Sequence, residues 1–183
     1  MNKHRGAHIV TIPANLPHQR HTWLLVLLAG LLLAAACDKN RGAALKIGDP
    51  APSFAAADLN GNPFALDVLQ GRPVVIRFFL TDCPYCKADT PAFRQYYLQN
   101  RDKGLAMVYL NSRDATPEAS VSFAREQELP FPVIFDKGGE IARRYQVKMM
   151  PQTIILDPQH KIVGALLGGV GEAELEELAG PYL

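Results

Sequence analysis

Two cysteines with two residues between them stand in the stretch RFFLTDCPYCKADTP, residues 77–91. A Cys-x-x-Cys pair can be a structural disulfide, half of a zinc site or a working dithiol. A bridge closing over two residues constrains an unfolded chain very little, so Cys83 and Cys86 are badly placed for a staple. Structural zinc takes about four protein ligands. Beyond residue 22 the sequence has no second cysteine pair and a single histidine, His160. No metal site is expected, and a dithiol is what remains.

What a dithiol can do depends on where the chain holds its sulfurs. The segment PVVIRFFL, 73–80, is β-branched and aromatic almost throughout, the pattern of a strand buried on both faces. A helix is predicted over 84–102, with Pro84 at its opening position and Lys103 and Gly104 at its end. Pro91 falls inside it and is expected to bend it. Cys83 then lies at the helix N-terminus, where unpaired N–H groups and the positive end of the dipole favour an anion. The thiolate is the attacking form. Cys86 lies one turn on, on the same face, where it can attack a mixed disulfide at Cys83 and release the product. Asp89 follows after another turn. A carboxylate there can accept the Cys86 proton, or can serve only as an early-turn acid that complements the dipole. Asp82 would oppose a thiolate and Lys87 would favour one; neither is assigned a role.

The rest of the chain supplies the frame. Two short strands around a turn at Asn60 and Gly61 and a helical turn ending at Gly71 precede the buried strand. After the helix come the strand LAMVYLNS, then the helix TPEASVSFAREQEL with Thr116 as N-cap and Val121, Phe123, Ala124 and Leu129 as its apolar positions. The strand FPVIFD, the short helix GGEIARRYQ, the strands QTIILD and KIVGALLG around Pro158, and the helix GEAELEELA complete the order. Strands and helices alternate through the middle, with a Cys-x-x-Cys at the first strand-to-helix junction of a βαβ unit, which is the setting of a redox motif.

Composition bounds the partners. The chain has 183 residues, 48% hydrophobic and 20% charged, with a net charge of +1 and no basic stripe, so nucleic acid is not an expected partner. Residues 1–36 read as a signal peptide: Lys3, Arg5 and Arg20 precede the uncharged run WLLVLLAGLLLAAA, which ends in small residues just before Cys37. The run is shorter than the roughly 18 to 20 apolar residues of a spanning helix. Residues 37–46 are small, polar and charged and read as a flexible tether, and 47–183 as one domain.

Within this frame the residues carry two resemblances. LAAAC resembles the lipobox of bacterial lipoproteins, although Ala34 stands where Leu is usual and Leu33 lies one residue earlier. That resemblance implies acylation of Cys37, and Asp38 looks like an inner-membrane retention residue. Further on, IGDPAPSFAAADLNGNPFALDVLQGRPVVIRFF, CPYCKADTPAF and VKMMPQTIILDPQHKIVGALLG resemble the TlpA and ResA group of thioredoxin-like proteins over nearly all of 47–183. The resemblance implies an α/β thioredoxin-like fold: a central mixed sheet flanked by helices, an N-terminal strand pair and one inserted helix.

The activity it implies is a membrane-tethered extracytoplasmic thiol–disulfide oxidoreductase, on the periplasmic side of a bacterial inner membrane or its equivalent. Cys83 would attack, Cys86 resolve and Asp89 move the proton, at a place usually held by Glu in the group. Pro84, Tyr85, Met150 and Pro151 would contact the client, with Pro151 in the cis form. Arg77 departs from the group, which usually has Asn there. No cofactor is implied, and a monomer is expected. The partners implied are client proteins with disulfides or thiols, including those of cytochrome c maturation, and a membrane thiol–disulfide electron donor. The alternative is a Cu(I)-binding metallochaperone on the same fold, since Cu(I) suits soft cysteine and methionine ligands. Copper chaperones of the Sco type share the FFLTDCP entry but space their cysteines by three and add a distal histidine.

Overall fold

The computed structural model describes residues 45–112 and 116–183. The signal segment, Cys37 and most of the tether lie outside the described residues. First comes a short antiparallel pair, β1 (Ala55–Ala57) with β2 (Pro63–Ala65). Oδ1 of Asp58 shapes its turn by accepting the N–H groups of Asn60 and Asn62, each at 2.8 Å. Gly61 sits in the turn at φ 80°, where a side chain would be strained. Then follow β3 (Val74–Phe79), α1 (Pro84–Asn100), β4 (Ala106–Asn111), α2 (Pro117–Glu126), β5 (Val133–Phe135), α3 (Glu140–Arg144), β6 (Gln152–Leu156), β7 (Ile162–Leu167) and α4 (Glu172–Ala179).

Five strands form one sheet in the order β5-β4-β3-β6-β7. β3 pairs parallel with β4, and β4 with β5, while β6 runs antiparallel to both β3 and β7. The expected mixed sheet and N-terminal strand pair are both present, and α2 is the inserted helix between β4 and β5. The central strand is β3, and all six of its residues are buried. Strand alternation divides them. Val74, Ile76 and Phe78 join a core with Phe54, Leu110 and Ile154, and Val75 and Phe79 join another with Phe93, Tyr109 and Phe123. Arg77 belongs to the second face and is fully buried among apolar side chains.

Two local expectations change. Thr116 occupies the N-cap position of α2 with extended backbone, but its hydroxyl bonds the Glu118 carboxylate rather than a backbone N–H. Val121 is 46% exposed. The helix instead turns Ser120 and Phe123 inward, and the Asn111 side chain on β4 donates to Ser120 Oγ at 2.8 Å. With Phe123 packed inward and the Ser120 hydroxyl satisfied, Val121 is left on the outer face of the helix.

Candidate active site

The helix carrying the cysteines begins where its sequence says it should. Cys83 is the N-cap of α1, with extended backbone at φ −76° and ψ 119°, and Pro84 follows at the first helical position. The Lys87 N–H donates to the Cys83 carbonyl at 3.1 Å, closing the first turn. Cys83 is half-buried and Cys86 is buried, and both are free thiols. Cys86 is 1% exposed and packs with Phe79, Phe93 and Tyr109.

Burial is the largest influence on the Cys86 thiol and pushes it up to about 12 from an ordinary value of 9.0. A hydrogen bond with the Leu80 backbone and the Arg77 charge pull the other way, and the neighbouring Cys83 adds to the rise. At neutral pH the group is a thiol, so its use as a nucleophile requires somewhere for its proton to go. Thr90, on the next turn, spends its hydroxyl on the Cys86 carbonyl at 2.5 Å.

Asp89 is the next acid along α1, one turn beyond Cys86. Its Oδ2 accepts from Nη2 of Arg77 and, at 3.1 Å, from the Val170 N–H. Its Oδ1 is buried without a hydrogen-bond partner. Burial raises the carboxyl above its ordinary value, against the lowering effect of the Arg77 charge and the Val170 N–H. A more basic carboxylate is the better proton acceptor.

Arg77 is what the sequence left unplaced. It lies level with Tyr109 on β4 and Thr153 on β6. Nη1 donates to Thr153 Oγ1 at 2.6 Å and to the Gly168 carbonyl at 3.1 Å. Cζ stands 4.8 Å from the centre of the Phe93 ring, within cation–π range. Thr153, Gly168 and Val170 were not among the expected site residues. One signal for them existed, since a lone charge in a strand buried on both faces must find a counter-charge and polar partners.

The remaining expected residues lie on two segments. Tyr85 is exposed at 69% in the first turn of α1, beside exposed Pro84. The Met150–Pro151 bond is cis and leads into β6. Met150 packs against the core while Met149 is 60% exposed, and buried Pro151 accepts the Gly168 N–H at 2.9 Å. Gly168 therefore links the two halves: its N–H holds the cis-proline segment and its carbonyl holds Arg77, which is paired with Asp89 on the cysteine helix. A cavity of about 460 Å³ lined by Asp58, Pro117 and Arg125 includes none of these residues. Among the described residues no group of three or more His, Cys, Asp or Glu side chains could hold a metal ion.

The chain is similar to known proteins in sequence and fold. A thiol-disulfide oxidoreductase ResA from Bacillus thuringiensis subsp. konkukian is 32% identical over 133 residues, covering 73% of this chain and 76% of the relative. The crystal structure of a secreted Mycobacterium tuberculosis disulfide oxidoreductase homologous to E. coli DsbE is 27% identical, with a TM-score of 0.64, covering 70% of this chain and 95% of that one. The thioredoxin domain of a thiol-disulfide oxidoreductase from Bacteroides vulgatus, at 24% identity and a TM-score of 0.67, shares the fold over 74% of this chain and 99% of its own. Residues 47–165 match the AhpC/TSA family. The chain belongs to that family, alongside the ResA-type thiol-disulfide oxidoreductases.

Proposed function

We propose that the protein is a membrane-tethered, extracytoplasmic thiol–disulfide oxidoreductase that reduces client disulfides through Cys83 and Cys86. The observation that carries this reading is the difference between the sulfurs: one half-exposed at the N-terminus of α1, the other buried one turn behind it. Cys83 attacks a client disulfide, forming a Cys83–client bond and releasing one client thiolate. Cys86 gives its proton to Asp89 and attacks the Cys83 sulfur. The Cys83–Cys86 disulfide forms and the second client thiolate leaves. Two electrons pass to the client, and a thiol–disulfide donor at the membrane returns them to the protein.

Exposed Pro84 and Tyr85, together with the backbone at Met150 and Pro151, are where the client chain lies. An apocytochrome c, whose haem-attachment motif carries two nearby thiols, is the client class the family resemblance implies. The signal-like run before Cys37 supports export and a lipid anchor, and the secreted mycobacterial relative supports an extracytoplasmic site. No helix among the described residues is long and apolar enough to cross a membrane.

Redox titration of the full-length protein tests the direction of electron flow. A potential between that of thioredoxin, about −270 mV, and that of the oxidant DsbA, about −120 mV, is expected, toward the reducing side. A value at or above the DsbA figure would make it an oxidant. Tight stoichiometric Cu(I) binding with negligible reductase activity would favour the metallochaperone instead. In the same preparation, Cys37→Ala is expected to move the protein from the membrane to the soluble fraction.

A further inference from the structure

A buried arginine is an expensive way to fill a sheet. The neighbouring inward positions on its face of β3 are Val75 and Phe79, and apolar side chains at both 77 and 89 would leave no charge to compensate. Arg77 is instead held from three elements. Thr153 on β6 and the Gly168 carbonyl after β7 fix Nη1, Asp89 on α1 takes Nη2, and the Phe93 ring lies against the guanidinium. A planar fork whose Nη1 is anchored in this way holds Nη2 on Asp89, while its Nε is buried without a partner.

The consequence falls on Asp89. Its Oδ2 is occupied twice, by Arg77 and by the Val170 N–H, whereas Oδ1 is buried and without a partner. Leaving a buried carboxylate oxygen bare is unfavourable, and here the bare oxygen belongs to a residue one helical turn from a thiol that must lose a proton. We propose that Arg77 is a positioning residue for the resolving step, holding Oδ2 of Asp89 so that Oδ1 takes the Cys86 proton. This rests on the reading of Asp89 as the proton acceptor.

The step conserves charge around a fixed cation. The proton moves from Cys86 Sγ to Asp89 Oδ1, and the negative charge moves from the carboxylate to the sulfur. Arg77 faces one anion before the transfer and one after it, so no bare buried charge appears on the way. The Arg77 charge already favours the Cys86 thiolate. The sulfur then attacks Cys83 and its charge leaves with the client thiolate.

Single-turnover kinetics with limiting dithiobis(nitrobenzoate) separate the steps in the reduced full-length protein, because each of the two sulfur attacks releases one coloured thiolate. Arg77→Met is expected to slow the second release by about 10-fold or more, within the range of general-base effects, while leaving the first within about twofold. In an Asp89→Asn background the same change is expected to add clearly less slowing than it causes alone, what remains being the direct effect of the Arg77 charge on the Cys86 thiolate. An unchanged second phase, equal slowing of both phases, or full additivity in the double variant would overturn the proposal. Thr153→Val keeps the charge and removes one anchor; a second phase slowed about two- to fivefold supports the same role if Arg77→Met does not fold, and no change overturns it. If Asp89→Asn itself leaves the second phase at the wild-type rate, the proton-acceptor reading fails as well. If Asp89→Asn is slow and the Arg77 and Thr153 variants are not, only the positioning role fails.

Discussion

The Arg77 guanidinium and the Asp89 carboxylate are ion-paired inside the protein, with side chains 0% and 10% exposed. The pair joins the central strand to the helix that carries both cysteines, one turn from Cys86. Fold and proposed chemistry meet there: the contact that fastens α1 to the sheet also holds the acid proposed to take the thiol's proton.

Removing one partner of a buried pair strands the other charge, so Arg77→Met is expected to cost about 3–5 kcal/mol at neutral pH. The pH dependence has a definite sign. Without Arg77 the Asp89 carboxyl, already raised by burial, is raised further above its unfolded value. A raised carboxyl favours the folded state below the unfolded pKa, and that stability is lost as pH rises through the folded value. The variant should therefore lie closest to wild type near about pH 4 and fall away toward about pH 7. Urea midpoints across that range measure it; a penalty independent of pH would count against the pairing.

The Cys86 thiol gives a second pH signature. Its value in the folded protein, about 12 against an ordinary 9.0, means the unfolded chain loses this proton first. The associated stability is present below about pH 9 and is lost as pH rises toward 12. Burial also raises the phenols of Tyr96, Tyr109 and Tyr145, but these act in both redox forms. The disulfide form has no thiol to titrate, so the reduced protein should lose stability faster than the oxidised protein between about pH 8 and 11. Parallel loss in the two forms would contradict the buried position of Cys86.

The exposed ring of Tyr85, 69% accessible beside Cys83, should matter for a polypeptide client and not for a small disulfide. Tyr85→Ala is expected to raise KM for a disulfide-bonded peptide about 5- to 10-fold, or about 1 to 1.4 kcal/mol. Its rate with dithiobis(nitrobenzoate) should stay within about twofold. Equal effects on both substrates would place Tyr85 in the chemistry rather than in client contact.

How much of this was legible depends on how far each signal reaches along the chain. β3 and β4 are short apolar runs buried on both faces, and α1 is bounded by Pro84 and Gly104, so local patterns sufficed to find them. The two cysteines are three residues apart and announced themselves. Arg77 did not, because its partners Thr153 and Gly168 lie 76 and 91 residues away. Strand register, which no local pattern specifies, brings them together. Val121 was misread for a related reason: an apolar position in a short helix is decided by what the sheet offers it, and Asn111 offered a partner to Ser120.

The central claim is that Cys83 attacks and Cys86 resolves, and trapping tests it most directly. Full-length Cys86→Ser, mixed in the reduced state with a peptide bearing a single disulfide, is predicted to accumulate a one-to-one covalent adduct, which mass spectrometry places on Cys83. Cys83→Ser is predicted to form no such adduct and to reduce no peptide. Wild-type turnover by Cys83→Ser, or an adduct on Cys86 in the native protein, would contradict the account.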